Sequence, residues 1–257
     1  MSEATVECRV CAGATRPWGS AHVRCRSCGL AFRHPLPTPE ALLAVHEEHY
    51  PAGLETAAES VMCSNAVSVR NLARWLRRRF PADNQVLDFG AGIGELAAAL
   101  RDAGMPDVRC CESAPAAAEA ARAQGFDVVA SLADVPKAAV DLVTSIEVLE
   151  HLLEPQLVMR EVRRILRPGG ALFLTTPNVR GLRARLDGPD WREATRPYHV
   201  LLYSFDAARR LLEQVGFASV ERVVFSPPTG AGTRNWLWTR CSQATGLYGG
   251  LRIVART

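Results

Sequence analysis

Four cysteines near the amino terminus carry the first chemical signal in the sequence. Cys8 and Cys11 form one Cys-x-x-Cys pair, Cys25 and Cys28 form a second, and 13 residues separate the pairs. Two such pairs supply four thiolates in the tetrahedral arrangement that structural zinc prefers. Two disulfides are the alternative, which a reducing compartment disfavours. The spacing therefore predicts a small zinc ribbon or knuckle with a closed four-thiolate site.

A glycine-rich stretch follows a short buried apolar run. Gly90, Gly92 and Gly94 lie between this run and a helical pattern, with Asp88 just before them and Glu95 just after. Glycine permits a tight turn and lets a ligand approach the backbone closely. The spacing is not the Gly-x-Gly-x-x-Gly of dinucleotide sites, and Glu95 would repel a phosphate at the helix N-terminus. The loop favours a ligand with a cationic amino group, and simple turn formation is the alternative.

Glu112 ends the next predicted strand, 22 residues after Gly90. An acidic side chain at this position can accept hydrogen bonds from both hydroxyls of a ribose. The feature indicates a nucleoside ligand without choosing among nucleosides, and a solvated strand end is the alternative.

Two histidines are candidate general bases, because imidazole titrates near neutral pH. His151 follows the fourth predicted strand, and His199 lies in an insertion after the fifth. A packed or capping histidine is the alternative for each. The insertion is also rich in arginine, which can bind phosphate or carboxylate groups, so an anionic substrate is one option and a solvated charged face the other. The residues concerned are Arg180, Arg183, Arg185, Arg192 and Arg196, with Asp187, Asp190 and Glu193 interspersed.

The elements that must position these residues alternate between strand and helix from residue 85 onward. Short apolar runs such as 85–89 and 140–146 predict buried strands, and helical stretches such as 95–104 end in glycine. Strands separated by helices indicate a mostly parallel sheet that binds ligands beyond the carboxyl ends of its strands. We therefore expect an α/β fold. Further strands are predicted at 107–112, 126–130, 170–176, 217–225 and 251–257, and helices at 60–79, 114–125, 155–166 and 205–216.

Composition divides the chain into three predicted parts. Residues 1–34 hold the cysteine pairs and form a zinc-binding module. Residues 35–84 begin with three closely spaced prolines and continue as a helical linker on the substrate side. Residues 85–257 form the main ligand-binding domain.

The overall composition is ordinary for a globular protein. Of 257 residues, 48% are hydrophobic and 22% charged, and 30 basic against 27 acidic residues leave a net charge of +3. This balance gives little drive for nucleic-acid binding. No apolar run approaches the ~18–20 residues that span a bilayer, and the first ten residues show no secretory signal. We therefore expect a cytoplasmic protein that does not bind membranes.

Several segments resemble the class I S-adenosylmethionine-dependent methyltransferases. They are VLDFGAGIGELAAAL (86–100), the strand ending in Glu112, DLVTSIEVLEHL (141–152) and RILRPGGALFLTTPN (164–178). The combination is similar to the branch that contains the ubiquinone-biosynthesis O-methyltransferases and many sugar and natural-product methyltransferases. The resemblance covers about two thirds of the chain. It implies S-adenosylmethionine as cofactor and a Rossmann-like, seven-stranded sheet with helices on both faces and the last strand antiparallel.

The resemblance also implies roles for individual residues. Asp88 and Gly90 would hold the methionine part of the cofactor, and Glu112 the ribose. Asp134 and its neighbours would contact the adenine, and Ser145 and Glu147 would line the sulfonium side. The full set of predicted cofactor residues is Asp88, Gly90, Ala91, Gly92, Gly94, Glu112, Ser113, Ala133, Asp134, Ser145 and Glu147.

The amino-terminal region is similar to the zinc module of certain methyltransferases, including sugar C-methyltransferases. The paired cysteines lead into CGLAFRHPLPTPEALLAVHEEHY (28–50), and in that group this region helps to form the substrate side of the cleft. The resemblance implies that Tyr50, His46 and His49 are candidate cleft residues, with surface helix positions as the alternative for the histidines. The other cysteines, Cys63, Cys110, Cys111 and Cys241, show no ligand spacing, and Cys110 and Cys111 are expected to pack in a strand.

The insertion around His199 resembles a family pattern that ends in Pro-x-His. Related enzymes often carry glutamate directly before this histidine, where the present chain has Tyr198. The departure weakens the case for a Glu–His catalytic pair, and the predicted catalytic residues are His199, His151 and Tyr198. The pattern is carried by Pro177, Asn178, Gly181, Trp191, Pro197 and His199.

These features together predict methyl transfer to the oxygen, nitrogen or carbon of a small molecule. The alternative is a macromolecular acceptor, either nucleic acid or a carrier- or peptide-bound group, docked through the zinc module. An Asn/Asp-Pro-Pro-Tyr motif for amino methylation does not follow the fourth strand, where Ser145–Val148 stands. A binding protein without transferase activity and a nicotinamide oxidoreductase are further alternatives, and the glycine spacing disfavours the latter. The acceptor atom and the oligomeric state are left open.

Overall fold

The computed structural model describes residues 6–49, 66–224, 241 and 243–257, so that Tyr50 and Cys63 lie outside the described residues. The strands are β1 (Thr15–Pro17), β2 (His22–Cys25), β3 (Ala31–Arg33), β4 (Val86–Phe89), β5 (Val108–Cys111), β6 (Val128–Val129), β7 (Val140–Ile146), β8 (Leu166–Pro177), β9 (Leu201–Leu202), β10 (Ser219–Arg222) and β11 (Gly250–Arg256). The helices are α1 (Pro39–His49), α2 (Ala66–Arg79), α3 (Glu95–Asp102), α4 (Pro115–Ala123), α5 (Pro155–Ile165), α6 (Leu182–Asp187), α7 (Arg192–Thr195) and α8 (Phe205–Gln214).

The main sheet has seven strands in the order β10-β11-β8-β7-β4-β5-β6. Strands β4 to β8 run parallel, and β11 pairs antiparallel with both β8 and β10. The expected α/β fold with an antiparallel last strand is therefore confirmed. The carboxyl ends of β4, β5 and β7 meet at one edge of this sheet, which is where such folds bind ligands.

Helices cover both faces of the main sheet. Adjacent residues of a strand point to opposite faces, so neighbours on β7 pack against different helices. Val143 on β7 packs in the cluster that includes Met159 of α5 and Leu211 of α8. Its neighbour Leu142 packs in the cluster that includes Leu76 of α2 and Leu100 of α3. Val69 and Leu72, which share the helical spacing of Leu76 in the sequence, are also buried there.

Two predicted strands are shorter in the structure by at least three residues. The stretch 126–130 contributes only Val128–Val129 as strand, and 217–225 contributes Ser219–Arg222. Phe126 leaves the first strand because its ring packs beneath the glycine loop: a Cβ on Gly94 would lie 3.3 Å from Phe126 Cδ2. An apolar run can thus be buried as a packed side chain rather than as a strand.

A second, four-stranded antiparallel sheet has the order β1-β2-β3-β9. Its first three strands come from the cysteine-rich region, and β9 comes from the insertion after β8. Phe32 pairs with Leu201 across this junction, and Ser204 Oγ donates a 2.5 Å hydrogen bond to the carbonyl of Cys28. The cysteine module is therefore joined by backbone pairing to the segment that carries His199. The boundaries at residues 34 and 84 stay predictions.

None of the described helices is long and apolar enough to cross a membrane.

Candidate active site

The glycine-rich loop connects β4 to α3 at the carboxyl edge of the sheet. Gly90, Gly92 and Gly94 have φ values of 75°, 54° and 90°, in the region that L side chains rarely adopt. A Cβ on Gly90 would lie only 2.4 Å from Cγ2 of Val148. Position 90 must therefore lack a side chain, because the segment after β7 packs directly on the loop.

The Glu112 carboxylate, just after β5, holds this loop in place. Its Oε2 accepts a 2.8 Å hydrogen bond from the Gly92 backbone N–H, and its Oε1 accepts one of 2.8 Å from Ala114. A carboxylate offers about four lone-pair sites, so Glu112 can accept further hydrogen bonds. The structure thus brings the predicted ribose residue against the predicted cofactor loop.

Asp88 lies within β4 and is 3% exposed. Its Oδ1 accepts a 2.6 Å hydrogen bond from Thr144 Oγ1 on β7. Burial raises the pKa of Asp88 to about 6, opposed by the Thr144 hydrogen bond and reinforced by the charge of Glu112. The structure therefore places Asp88 behind the loop, where its carboxyl group braces β4 against β7.

The remaining predicted cofactor residues lie along the same edge at two depths. Ala91 is part of the loop, and Ser113, Ala133 and Asp134 are exposed. The Asp134 carboxylate accepts a 3.1 Å hydrogen bond from the backbone N–H of Ser131 in a capping box. The buried residue is Ser145 on β7, which is 2% exposed.

Two glutamates, Glu147 and Glu150, lie on either side of Val148 in the sequence. Glu147 has a φ of +54°, a strained conformation that costs roughly 1–2 kcal/mol and is common at functional sites. Its Oε1 accepts a 2.7 Å hydrogen bond from Thr175 Oγ1. Glu150 is fully buried, and its Oε2 accepts a 2.9 Å hydrogen bond from Thr176 Oγ1. Burial raises the pKa of both carboxyls, and the neighbouring Glu147 raises that of Glu150 further.

Four aromatic side chains pack beside these glutamates, and we call them the ring cluster: His46, His151, Tyr198 and His199. The His151 ring stacks on Tyr198 with centroids 5.5 Å apart and lies 5.0 Å from His199. His46 from α1 contacts His151 at 5.1 Å and Tyr198 at 5.9 Å. The structure therefore brings together the three predicted catalytic residues and one predicted cleft histidine from three distant parts of the chain.

Burial keeps the two candidate catalytic histidines neutral. It lowers the pKa of His199 to about 3, with a further lowering by Arg196 and Arg33, and it lowers the pKa of His151 well below the usual value. Nδ1 of His199 lies 3.0 Å from the carbonyl oxygen of Glu193. Because a carbonyl can only accept, we assign the His199 proton to Nδ1 and a lone pair to Nε2.

Sequence reasoning missed two acidic residues of this site. It noted the absence of glutamate directly before His199, yet Glu193 Oε2 lies 3.6 Å from His199 Nδ1 across one turn of chain. The sequence pattern also gave no role to Glu150, which lies within EVLEHL (147–152). The available signal was the Glu150–His151 pair itself, because a carboxylate and an imidazole adjacent at a strand end reach the same edge of the sheet.

The four predicted metal-ligating cysteines come together at the other end of the small sheet. Cys8 Sγ lies 3.5 Å from Cys28 Sγ, and Cys11 Sγ lies 3.5 Å from Cys25 Sγ. All four sulfur atoms lie within 4.8 Å of one another. Cys110 and Cys111 are buried in β5 as expected, and burial raises the pKa of both thiols to about 12.

Within the described part of the chain, three of the five insertion arginines form ion pairs, Arg192 and Arg196 with Glu193 and Arg180 with a residue of α8. Arg180 pairs with Asp206 at 2.9 Å. Arg196 reaches the ring cluster, because its Nη1 donates a 2.5 Å hydrogen bond to the Tyr198 hydroxyl while its Nε lies 3.0 Å from Glu193. Arg196 is therefore the member of this arginine group that the structure ties to the candidate active site.

The strand order, the glycine loop and the acidic residue that closes β5 define the class of S-adenosylmethionine-dependent methyltransferases. A family described as "Methyltransferase domain" matches residues 64–222, which is more than half of the chain. The chain belongs to this family of methyltransferase domains.

Curated relatives match a shorter stretch. The chain is 35% identical over 107 residues to the ubiquinone biosynthesis O-methyltransferase of Xanthomonas oryzae, which is 38% of this chain and 44% of the relative. The chain therefore spans less than half the length of the curated relatives that it matches, so their substrate stays a property of those proteins.

Solved structures match the fold over most of the chain. An S-adenosylmethionine-dependent methyltransferase from Thermotoga maritima matches with a TM-score of 0.58, 16% identity, and coverage of 84% of this chain and 99% of that one. A phosphoethanolamine N-methyltransferase from Haemonchus contortus, solved with S-adenosylhomocysteine, matches with a TM-score of 0.61, 16% identity, and coverage of 86% and 61%. At these identities the likeness shows the fold.

Proposed function

We propose that this methyltransferase acts on a small molecule held between the glycine loop and the ring cluster. The observation that carries the proposal is the contact between Val148 and Gly90. This contact joins the predicted cofactor loop to a segment that begins with Glu147 and ends with His151. A methyl group presented by the loop would therefore face the buried polar groups beyond Val148.

The enclosure of the ring cluster supports a small acceptor. Glu150, Tyr198 and His199 are between 0% and 7% exposed, and β3 closes the site from outside through Arg33. The Arg33 side chain donates hydrogen bonds to the carbonyls of His199 at 3.3 Å and Arg196 at 3.0 Å. An enclosed site of this kind suits a small acceptor better than a macromolecule, which would have to insert a single extended group.

The cofactor residues would act mainly by positioning, because methyl transfer is an in-line displacement. We assign the loop from Gly90 to Gly94 and the Asp88 strand end to the methionine part, Glu112 to the ribose, and Asp134 to the adenine. Ser145 and Glu147 are assigned to the sulfonium side. His199 presents Nε2 as an acceptor, although its low pKa makes it a weak proton acceptor in this closed arrangement.

We also propose that the four cysteines hold a structural zinc ion. The sulfur pairs at 3.5 Å are much longer than a disulfide of about 2.05 Å and close to the sulfur separation of about 3.8 Å in a tetrahedral site with 2.3 Å bonds. Each close pair joins one knuckle to the other. Cys25 Sγ also accepts hydrogen bonds from the backbone N–H groups of Ser27 and Cys28, as thiolates do. A thiolate site of this kind suits the cytoplasm.

The charge of the chain supports the same choice of acceptor. A net charge of +3 on 257 residues gives little attraction to a phosphate backbone, and Arg196 could instead contact an anionic group on a small substrate. The macromolecular alternative, docked through the zinc module, would place the acceptor near β1 and β2, on the far side of β3 from His199.

The test uses zinc-loaded full-length protein, methyl-labelled cofactor and an extract of the cells that encode the protein. Products are separated into small-molecule and macromolecular fractions. We expect label in the small-molecule fraction, where mass spectrometry identifies the product and the methylated atom. A His199→Asn variant tests the site, because it should lose label while it keeps cofactor affinity.

Label that appears only in the nucleic-acid or protein fraction contradicts the small-molecule assignment and favours docking through the zinc module. If the protein binds the cofactor but no fraction is labelled, the extract contains no acceptor for it. This outcome contradicts the proposal that the protein methylates a small molecule of those cells.

A further inference from the structure

A cavity of about 220 Å³ lies where β8 and β11 meet the insertion, and the methyl-transfer scheme does not use it. Its lining includes Arg180, Arg185, Arg222 and Asp206. These residues belong to the insertion, to β10 and to α8, so only the folded chain brings their charges together. The volume is many times the roughly 10–15 Å³ that one water molecule requires. The cavity can therefore hold a larger polar group.

The lining of this cavity carries an excess of positive charge. Arg180 Nη1 lies 2.9 Å from Asp206 Oδ2, and this ion pair engages the carboxylate. Arg185 Nε donates a 2.8 Å hydrogen bond to the carbonyl of Arg180. Arg222 Nη2 donates one of 2.8 Å to the carbonyl of Ala244. Carbonyls carry no net charge, so three arginines and one aspartate leave two net positive charges in the lining.

An arginine of the cysteine module experiences the same excess charge. Burial lowers the pKa of Arg24 on β2, and the nearby charges of Arg180 and Arg185 lower it further. The Arg180 guanidinium also packs on this module, because a Cβ on Gly29 would lie 3.0 Å from its Nε and Nη2. The positive potential therefore extends from the cavity to the cysteine module.

The third arginine is held in place before any ligand binds. The Arg222 guanidinium lies over the Phe205 ring, 5.5 Å from its centroid, and leaves no room for a Cβ on Gly246 beside its Nη1. The Gly246 carbonyl in turn accepts a 2.9 Å hydrogen bond from Asn178 Nδ2. A guanidinium fixed in this way loses little conformational freedom when it binds an anion.

The cavity adjoins the strand pair that supports the acceptor side of the candidate active site. Leu251 of β11 lines the cavity and pairs with Thr176 of β8. The Thr176 hydroxyl donates a hydrogen bond to Glu150 beside the ring cluster. Asn178, which also lines the cavity, follows Thr176 by two residues, or roughly 7 Å of extended chain. A molecule of roughly 10 Å can span this separation.

We propose that this cavity binds a phosphate monoester group of the methyl acceptor, an inference that rests on the proposed function. A phosphate monoester carries a charge of about −1.5 to −2 near neutral pH, which matches the two net positive charges of the lining. A carboxylate would leave one of these charges uncompensated. Arginine also presents paired N–H groups that fit two phosphate oxygens at once. The cavity would hold the end of the acceptor that is not methylated and so orient the reacting atom.

The first experiment measures the binding of ³²P-labelled inorganic phosphate to the zinc-loaded full chain by equilibrium dialysis. We expect one phosphate per chain with a dissociation constant of about 1 mM or lower. Arg185→Gln and Arg222→Gln should each weaken binding about tenfold or more, because each removes a hydrogen bond to a charged group.

Arg183→Gln is the matched control for the loss of charge. Arg183 is exposed on α6, two residues before Arg185, and side chains two residues apart on a helix do not face each other. Its loss should leave phosphate affinity nearly unchanged. Affinity for S-adenosylhomocysteine checks that each variant is folded.

Failure of the wild type to bind phosphate at about 10 mM, or equal binding by the wild type and Arg222→Gln, overturns the proposal. Equal weakening by Arg183→Gln also overturns it, because the effect would then come from the general charge of the surface. Phosphate binding needs no acceptor, so it can succeed even if small-molecule methylation is wrong.

The second experiment tests whether the phosphate belongs to the acceptor. The cell extract is treated with alkaline phosphatase, which is removed before the protein and the methyl-labelled cofactor are added. We expect the labelled small-molecule product to fall about tenfold or more through loss of the anchoring contacts, whereas heat-inactivated phosphatase should have no effect.

The solubility of the labelled product identifies the source of the phosphate. Label in the organic phase of a lipid extraction assigns the phosphate to a lipid headgroup, and label in the aqueous phase assigns it to a water-soluble ester. A labelled product that contains no phosphorus and persists after phosphatase treatment would show that the cavity binds free phosphate only. This outcome overturns the inferred link to the acceptor.

Discussion

The two sides of Val148 differ in how completely their buried polar atoms are hydrogen-bonded. On the cofactor side, Glu112 accepts two backbone hydrogen bonds, Asp88 accepts one from Thr144, and Asp134 accepts one in a capping box. On the acceptor side, Glu150 Oε1 and His151 Nδ1 are buried without partners among the described residues. Buried atoms without a partner therefore occur on the acceptor side, next to atoms such as Glu150 Oε2 that are paired.

The difference indicates how the two sites are built. A rigid, hydrogen-bonded edge can receive the same cofactor in each turnover without reorganisation. An unpaired buried polar atom costs about 1–3 kcal/mol, and a bound ligand that pairs with it recovers this cost. The acceptor side is therefore arranged to gain stability from what it binds.

The largest expected effect comes from disturbing the contact between Gly90 and Val148, which lies between the two sides. Gly90→Ala would place a Cβ 2.4 Å from Val148 Cγ2 at a φ of +75°. Overpacking and backbone strain together should weaken S-adenosylhomocysteine binding about 100-fold or more, as measured by isothermal titration calorimetry.

Two further variants show whether the clash is the cause. Gly125→Ala carries a similar strain, with a φ of +85°, but has nothing within 4 Å of its Cβ, so its cofactor affinity should change little. Val148→Ala added to Gly90→Ala removes the clashing methyl group and should restore part of the affinity. A double variant that binds no better than Gly90→Ala would mean that Val148 does not define this boundary.

The next effect should fall on the acceptor side alone. Cys11→Ser weakens the thiolate site, and the small sheet that it anchors holds His199 in place through β9 and Arg33. We expect methyl transfer to fall about 100-fold, because misplacement by about 1 Å has effects of this size, while S-adenosylhomocysteine affinity stays nearly unchanged.

Cys241→Ser is the matched control, because Cys241 is an exposed cysteine outside the thiolate site. Equal losses of cofactor affinity and methyl transfer in Cys11→Ser would show that the two sides are not separable in this way.

The last predicted effect is confined to folding stability and its dependence on pH through Asp88. Its pKa is about 6 in the folded protein against about 3.9 in the unfolded chain, so the folded state binds the proton more tightly. The contribution of Asp88 to stability is therefore fully present below pH ~4 and is lost as the pH rises through about 6, by about 3 kcal/mol in total. Asp88→Asn should remove this dependence.

Chemical denaturation of the wild type and Asp88→Asn at several pH values measures the effect. The stability difference between the two proteins should change between pH 4 and pH 7 in the stated direction. A constant difference over this range would show that burial does not raise the pKa of Asp88. It would also mean that water reaches this carboxyl group in the folded protein.

Local patterns in the sequence were enough to predict the fold class and the place of the glycine loop in it. The glycine spacing, the acidic residue after β5 and the alternation of strand and helix are periodic features of short segments, and the observed sheet agrees with the predicted α/β fold. The exact strand lengths were less predictable. Phe126 shows why, because its apolar side chain fills a gap beneath Gly94 instead of extending β6.

The sequence by itself determined the four-cysteine motif, the glycine loop and the fold class, since each depends on neighbours along the chain. Only the tertiary structure decided the acceptor side, because its parts are brought together by packing. Pairing of Phe32 with Leu201 carries His199 to the cysteine module, and the same packing sets His151 against Tyr198. Contacts between such remote segments depend on how strands and helices pack their apolar faces together. The spacing of residues within one short segment does not predict this packing.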